Sequence, residues 1–286
     1  MHLPARPWTT LLLSLLAFAG ACKDQGKLSA QKASQHVAAL SALADKDVSE
    51  VERGLPQGAT ELVSLLYAKG ADPRQDVAGV RRALRRIRAD VADLTIAKST
   101  FFALADEKGI AIRNDLEEDA MAGQDVLKLF PDLRKVLEGS FATAQGKFVG
   151  PTSPQAPDRD WVAATPIQNE GHVAGLLLTG WTYRRFANHL QETLRHDLTE
   201  EALKSGGGAK LPILYVAMFD RTGVYGAPFT PEVNEKALAD ADLVGKTASG
   251  PCEGTVSITD RDFGYAAVRV PKLGPELGIA VLRSEI

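Results

Sequence analysis

The side chains able to do chemistry in this chain are few and scattered. There are five histidines and two cysteines. His189 and His196 form the close pair on a helical stretch, but seven residues separate them by about 10 Å along a helix axis, too far to share one metal ion. Cys252 follows Pro251 and has no identifiable histidine partner, so a thiolate nucleophile is not expected. No serine sits in a Gly-x-Ser-x-Gly elbow, and Ser205-Gly206-Gly207-Gly208-Ala209-Lys210 lacks the spacing and ending of a phosphate loop. The expectation is therefore no enzyme, no metal and no cofactor. Binding chemistry remains. Asp158-Arg159-Asp160 leads into an apolar stretch at Trp161, which offers a cation and a flat ring suited to a small anion with an apolar tail. Arg159, Trp161, Thr165 and Phe102 are the candidate ligand contacts, with core packing as the first role of Phe102.

Cys22 carries a different chemistry. An apolar run over residues 8–19 follows Met-His-Leu-Pro-Ala-Arg, is too short to span a bilayer comfortably, and closes on small residues, the pattern of a signal peptide. Ala19-Gly20-Ala21-Cys22 resembles the lipobox of bacterial lipoproteins, in which the cysteine is acylated and becomes the mature N-terminus; the family's usual Leu is replaced by Ala19. Two or three acyl chains, at about 0.8 kcal/mol per buried CH₂, hold a protein on a membrane where one does not. Lys23 after the cysteine favours the outer membrane by the sorting rule of enteric lipoproteins. The expectation is a lipid-anchored protein of the bacterial cell envelope, with simple secretion as the alternative.

The composition, 45% hydrophobic and 24% charged, is that of a folded globular protein. A formal charge of −3 and export both argue against a nucleic-acid partner. With Cys22 acylated, Cys252 has nothing to pair with, and a disulfide framework is excluded.

Residues 28–98 read as helical. A first helix to about Arg53 carries Val37, Leu40, Ala44, Val48 and Val51 on one stripe, and Gly54-Leu55-Pro56-Gln57-Gly58 is read as its stop. A short second helix follows. Asp72 caps a third with Pro73 at its first position, and Val77, Val80, Leu84, Ile87, Val91 and Leu94 make one heptad seam. That seam packs either within the chain or across a homodimer. Arg81, Arg82, Arg85, Arg86 and Arg88 lie outside it and read as a solvated face, or as a contact for anionic lipid or an acidic partner.

Beyond Lys98 the period changes to two. Residues 100–105 and 110–112 form a hairpin about Asp106-Glu107-Lys108-Gly109; residues 161–167 and 173–178 form another, and a helix over 183–204 leads to a glycine linker. The same order then recurs. Asp220 and Gly223 match Asp106 and Gly109 at an offset of 114, Gly274 and Gly278 match Gly171 and Gly175 at an offset of 103, and Leu243-Val244-Gly245-Lys246 matches Met121-Ala122-Gly123-Gln124.

These blocks resemble the double Cache extracytoplasmic sensor domains of bacteria, in which a long N-terminal helix precedes two PAS-like modules. The resemblance rests on residues 105–109, on 121–126 before a short helix, and on Ala164-Thr165-Pro166-Ile167 with Gly171 and Gly175. It implies an α+β fold and a small-molecule site between sheet and loops. The arginine and aromatic pair of amino-acid-binding members is absent, since Leu129-Phe130-Pro131 stands in its place. The expected organisation is a signal peptide over 1–21, a helical arm and long helix over 22–98, a first Cache-like module with a linker helix over 99–204, and a smaller second module over 205–286. Residues 146–160 are expected to cover the first module and bring Arg159 and Trp161 to its rim. The function this implies is that of a membrane-anchored small-molecule sensor or accessory module, with a membrane-protein partner within reach. A structural or assembly lipoprotein using its modules as protein interfaces is the alternative.

Overall fold

The computed structural model describes residues 13–68, 71–150, 158–206 and 210–285, with side chains from residue 25 onward. The leader expected over 1–21 falls largely outside the described residues, as does the side chain of Cys22. Among the described residues no helix is long and apolar enough to cross a membrane.

Helix α1 (Leu13–Leu66) has 54 residues, a rod of about 80 Å at 1.5 Å per residue. It does not stop at Gly54-Leu55-Pro56, and the short second helix expected beyond that point is its own C-terminal part. Pro56 and Glu52 both face solvent, so water can satisfy the Glu52 carbonyl that a proline four residues on leaves unbonded. The two glycines serve packing instead of termination. A Cβ at Gly54 would lie 2.8 Å from Leu94 Cδ2, and one at Gly58 would lie 3.0 Å from Leu94 Cδ1 and 3.2 Å from Ile87.

Asp72 caps only a 3₁₀ turn (Pro73–Gln75); Asp76 caps α2 (Val77–Asp90), accepting from the Gly79 N–H at 2.8 Å. The single long helix expected here is broken at Val91, whose backbone is extended (φ −83°, ψ 113°), and α3 (Ala92–Ile96) follows. The Thr95 hydroxyl donates to the carbonyls of Arg88 and Ala89 at the break. The seam is an intramolecular one. Val80, Leu84, Ile87 and Leu94 are fully buried in the core shared with α1, and Val91 nearly so, while Val77 is exposed. A dimer through these side chains is therefore corrected to packing within the chain.

The first module contains β1 (Phe101–Asp106), β2 (Ala111–Asn114), α4 (Val126–Leu129) with a 3₁₀ helix (Pro131–Glu138), β3 (Ala142–Gly146), β4 (Asp160–Asn169) and β5 (His172–Thr182). Helix α5 (Tyr183–Lys204), started by the Thr182 cap, leads to the second module. There β6 (Ile213–Asp220), β7 (Gly223–Gly226), α6 (Glu232–Asp240), α7 (Leu243–Lys246), β8 (Cys252–Ile258), β9 (Arg261–Arg269) and β10 (Gly278–Ser284) repeat the order. Both sheets are five-stranded and antiparallel, β2-β1-β5-β4-β3 and β7-β6-β10-β9-β8, the same topology written twice. The matched aspartates do the same work. Asp106 Oδ1 accepts from the Lys108 and Ile110 N–H groups, and Asp220 Oδ1 from that of Thr222.

The two sheets share α1, and they meet it in reverse order. The beginning of α1 lies on the second sheet, where Gly264 lets Ala30 approach its backbone and His36 meets Arg283. Its end lies on the first, where the Tyr67 hydroxyl donates to the Ala174 carbonyl at 3.3 Å. One apolar layer between α1, α2, α5 and the inner faces of both sheets joins the modules, and Val48, Leu62, Phe102, Leu177, Leu190, Val216 and Ile279 are among its fully buried members.

Candidate functional site on the outer face of the first sheet

A strand places alternate side chains on opposite faces, so each residue of β4 belongs either to the helix-facing layer or to the outer one. Trp161, Ala163 and Ile167 point into the layer with α1, and Thr165, in register with them, is likewise buried. Val162 and Ala164 point outward, joined by Phe101, Ala103, Ala105, Leu176 and Leu178, under a cover of Val126, Leu127, Phe130 and Leu133. This outer face is the one beneath the loops.

At one end the cover becomes aromatic. Phe148 meets Phe101 edge-on with centroids 5.7 Å apart and tilts onto Phe130 at 4.7 Å. Gly146 makes room for this arrangement, since a Cβ there would lie 2.7 Å from the Phe130 ring. Beside the rings, in outward register at the start of β4, stands Asp160. It is 9% exposed, and its Oδ2 accepts from the Phe148 N–H at 2.9 Å. Burial pushes its carboxyl up to about 6, with neighbouring Asp158 adding to the rise and the Phe148 N–H, Lys147 and Arg159 opposing it. A half-buried ring on a short segment, two rings behind it and a buried carboxyl at their edge can hold an ammonium group that carries an apolar tail.

The residues expected as ligand contacts are placed elsewhere. Trp161 is fully buried: its ring stacks on Trp181 at 4.4 Å and its Nε1 donates to the Leu273 carbonyl of the second module at 2.9 Å. Arg159 also turns to the second module, pairing with Asp220 at 3.5 Å. Phe102 is fully buried under Arg88, whose guanidinium lies 5.3 Å from its ring centre, and Thr165 is 4% exposed. The rim position expected for Arg159 and Trp161 is thus corrected, because both have the parity of the inner face or the module junction. Asp160 between them was passed over, although the same alternation marks it as the outward residue.

The other groups singled out are held by the chain. Arg81 and Arg85 pair with Glu117, and Arg88 pairs with Asp115 at 2.7 Å, tying α2 to the segment after β2. Arg82 and Arg86 pair with Asp76 and Asp90 of their own helix. His189 Nε2 lies 3.1 Å from Asp47 on α1, and His196 pairs with Glu200. Cys252 is half-buried on the edge strand β8, where burial raises its thiol. Residues 151–157 of the expected cover lie outside the described residues.

No protein-family model matches the chain, and no curated protein matches its sequence. Solved structures do. The ligand-binding domain of the Campylobacter jejuni chemoreceptor Tlp3 in complex with 4-methylisoleucine has a TM-score of 0.55 at 10% identity, over 91% of this chain and 92% of that one. The same domain in complex with L-valine has a TM-score of 0.53 at 10% identity, over 96% and 97%. The sensory domain of that receptor with isoleucine bound has a TM-score of 0.51, again at 10% identity, over 96% and 97%. The likeness is one of fold: a long helix followed by two antiparallel modules, which is the α+β, Cache-like architecture read from the repeats.

Proposed function

We propose that this chain is an extracytoplasmic ligand-binding sensor or accessory module, anchored through acylated Cys22, whose ligand is a small organic ammonium compound with an apolar tail. One observation carries the ligand class. Asp160 is a buried carboxyl at the edge of the Phe101, Phe130 and Phe148 rings, on the sheet face that lies under the loops. The similar Tlp3 domains, whose structures hold L-valine and isoleucine, support a ligand of this size and chemistry. Apolar side chains already fill the face, so a ligand enters by displacing Phe148. The contact role expected of Arg159, Trp161, Thr165 and Phe102 passes to Asp160 and these rings. The anchor follows from the leader and Cys22, and α1 then sets the second module nearest the membrane, with the outer membrane favoured by Lys23.

Thermal-shift screening of amino acids and amines tests the ligand. Compounds that raise the melting temperature of the native protein should lose their effect in Asp160→Ala and Phe101→Ala but keep it after substitutions in the second module. Hits insensitive to both first-module changes would reject this site. For the anchor, Cys22→Ser should abolish acyl labelling and free the protein from the membrane fraction; unchanged labelling and retention would reject it.

The alternative, a module used as a protein interface, is favoured by Phe229. It is fully exposed in a left-handed backbone (φ 69°), and Val233, four residues on, is 46% exposed. An aromatic ring presented to water suits a protein partner. A photo-reactive residue at position 229 that crosslinks to a protein in native envelopes would favour this reading, and reaction with solvent alone would count against it.

A further inference from the structure

Residues 158–161, which lead into β4, tie the two modules together, and their side chains alternate between them. Asp158 Oδ1 accepts from the Arg184 N–H at 3.2 Å, at the first turn of α5. Arg159 pairs with Asp220 at the β6–β7 turn, and Asp220 Oδ2 also accepts from the Tyr183 hydroxyl at 3.3 Å. Asp160 returns to the first module and holds the Phe148 N–H. Trp161 reaches the second module again, where Leu273 O accepts from its indole. Gln145 of β3 donates to the same carbonyl at 2.6 Å, and Gly274 beside it has no room for a Cβ because Gln145 fills that space.

These contacts have a mechanical consequence. Adjacent residues of one strand share a backbone that turns as a unit: rotating the strand end to move Asp160 outward moves Arg159 and Trp161 the other way. Both second-module partners are turns, which bend at less cost than strand interiors. Trp161 is also stacked on Trp181, which stacks on Phe186 of α5, so a shift of its ring reaches the helix that connects the modules.

We propose that residues 158–161 form a clasp by which the seating of Phe148 on the first sheet is transmitted to the β6–β7 and β9–β10 turns of the second module. Asp160 and Phe148 are the input, and Arg159 and Trp161 are the output. A ligand that displaces Phe148 would thereby alter the module nearer the start of α1. That use rests on the ligand reading above; the mechanical link does not.

Amide hydrogen exchange on the ligand-free full chain tests the link. Asp160→Ala, which removes the acceptor of the Phe148 N–H, should speed exchange at Phe148 and also at Leu273 and Thr222 in the second module. Asp160→Asn keeps an acceptor and should restore all three. In an Arg159→Lys, Trp161→Phe background, Asp160→Ala should speed Phe148 alone. Phe148→Ala, which leaves β4 unaltered, should raise the same two second-module amides, and β8 should keep its native rates throughout. A rise confined to the first module, or one spread equally over β8, overturns the clasp. A ligand screen without hits would sink the ligand reading and leave this result standing.

Discussion

The indole of Trp161, on the first sheet, donates its N–H to the main-chain carbonyl of Leu273 in the second module at 2.9 Å, 112 residues along the chain. A residue expected at the rim of a ligand pocket is instead a structural tie between the two modules. Trp161→Phe keeps the ring stack and leaves Leu273 O with its Gln145 donor, so it should lower unfolding free energy by about 1 kcal/mol. Trp161→Ala opens a cavity at the junction and should cost about 3–5 kcal/mol. Urea unfolding measures both, and equal effects of the two changes would contradict the assignment.

Asp160 makes stability depend on pH in a defined direction. Its carboxyl is raised to about 6 from an ordinary value of 3.8, so the folded state favours the protonated form. Its contribution is fully present below about pH 4 and is lost as pH rises through about 6, at most about 3 kcal/mol. Asp160→Asn should therefore be more stable than the native chain at pH 7.5, with the gain shrinking to nothing by pH 4. Urea midpoints across that range decide it; a variant that is weaker at every pH would show that ionised Asp160 is well paired.

At Gly54 helix propensity and packing oppose each other. Alanine is better than glycine in a helix by about 1 kcal/mol, yet its Cβ would lie 2.8 Å from Leu94 in a dense core. Overpacking of this kind costs about 1–3 kcal/mol, so Gly54→Ala should lower the melting temperature. A higher one would show that Leu94 gives way freely.

Leu84→Lys places an unpaired charge at a fully buried position between α2 and α1. The expected loss is on the order of several kcal/mol, with no dimer at any concentration in sedimentation of the native chain. A native dimer converted to a stable folded monomer by this change would restore the intermolecular seam.

The sequence by itself determined the duplicated unit, the hairpins, the span of α5 and the buried stripes of α1 and α2. Each of these depends on short-range periodicity, turn residues or repeated spacing, all of which are local properties of a chain. Local rules also misled. Gly54, Pro56 and Gly58 form a stop signal in any isolated helix; only the arrival of Leu94 and Ile87 from α2 and α3 makes the glycines useful and keeps α1 continuous. The site was half legible. Alternation along 158–161 divides those residues between two faces, but period two does not say which face meets the helices and which the loops. That choice was made by α1, which lies along the inner faces of both sheets and so turned Trp161 and Thr165 into core and left Asp160 to face Phe148. The order of the modules along α1, second sheet first, was equally out of reach, because it is fixed by contacts more than two hundred residues apart, such as His36 with Arg283.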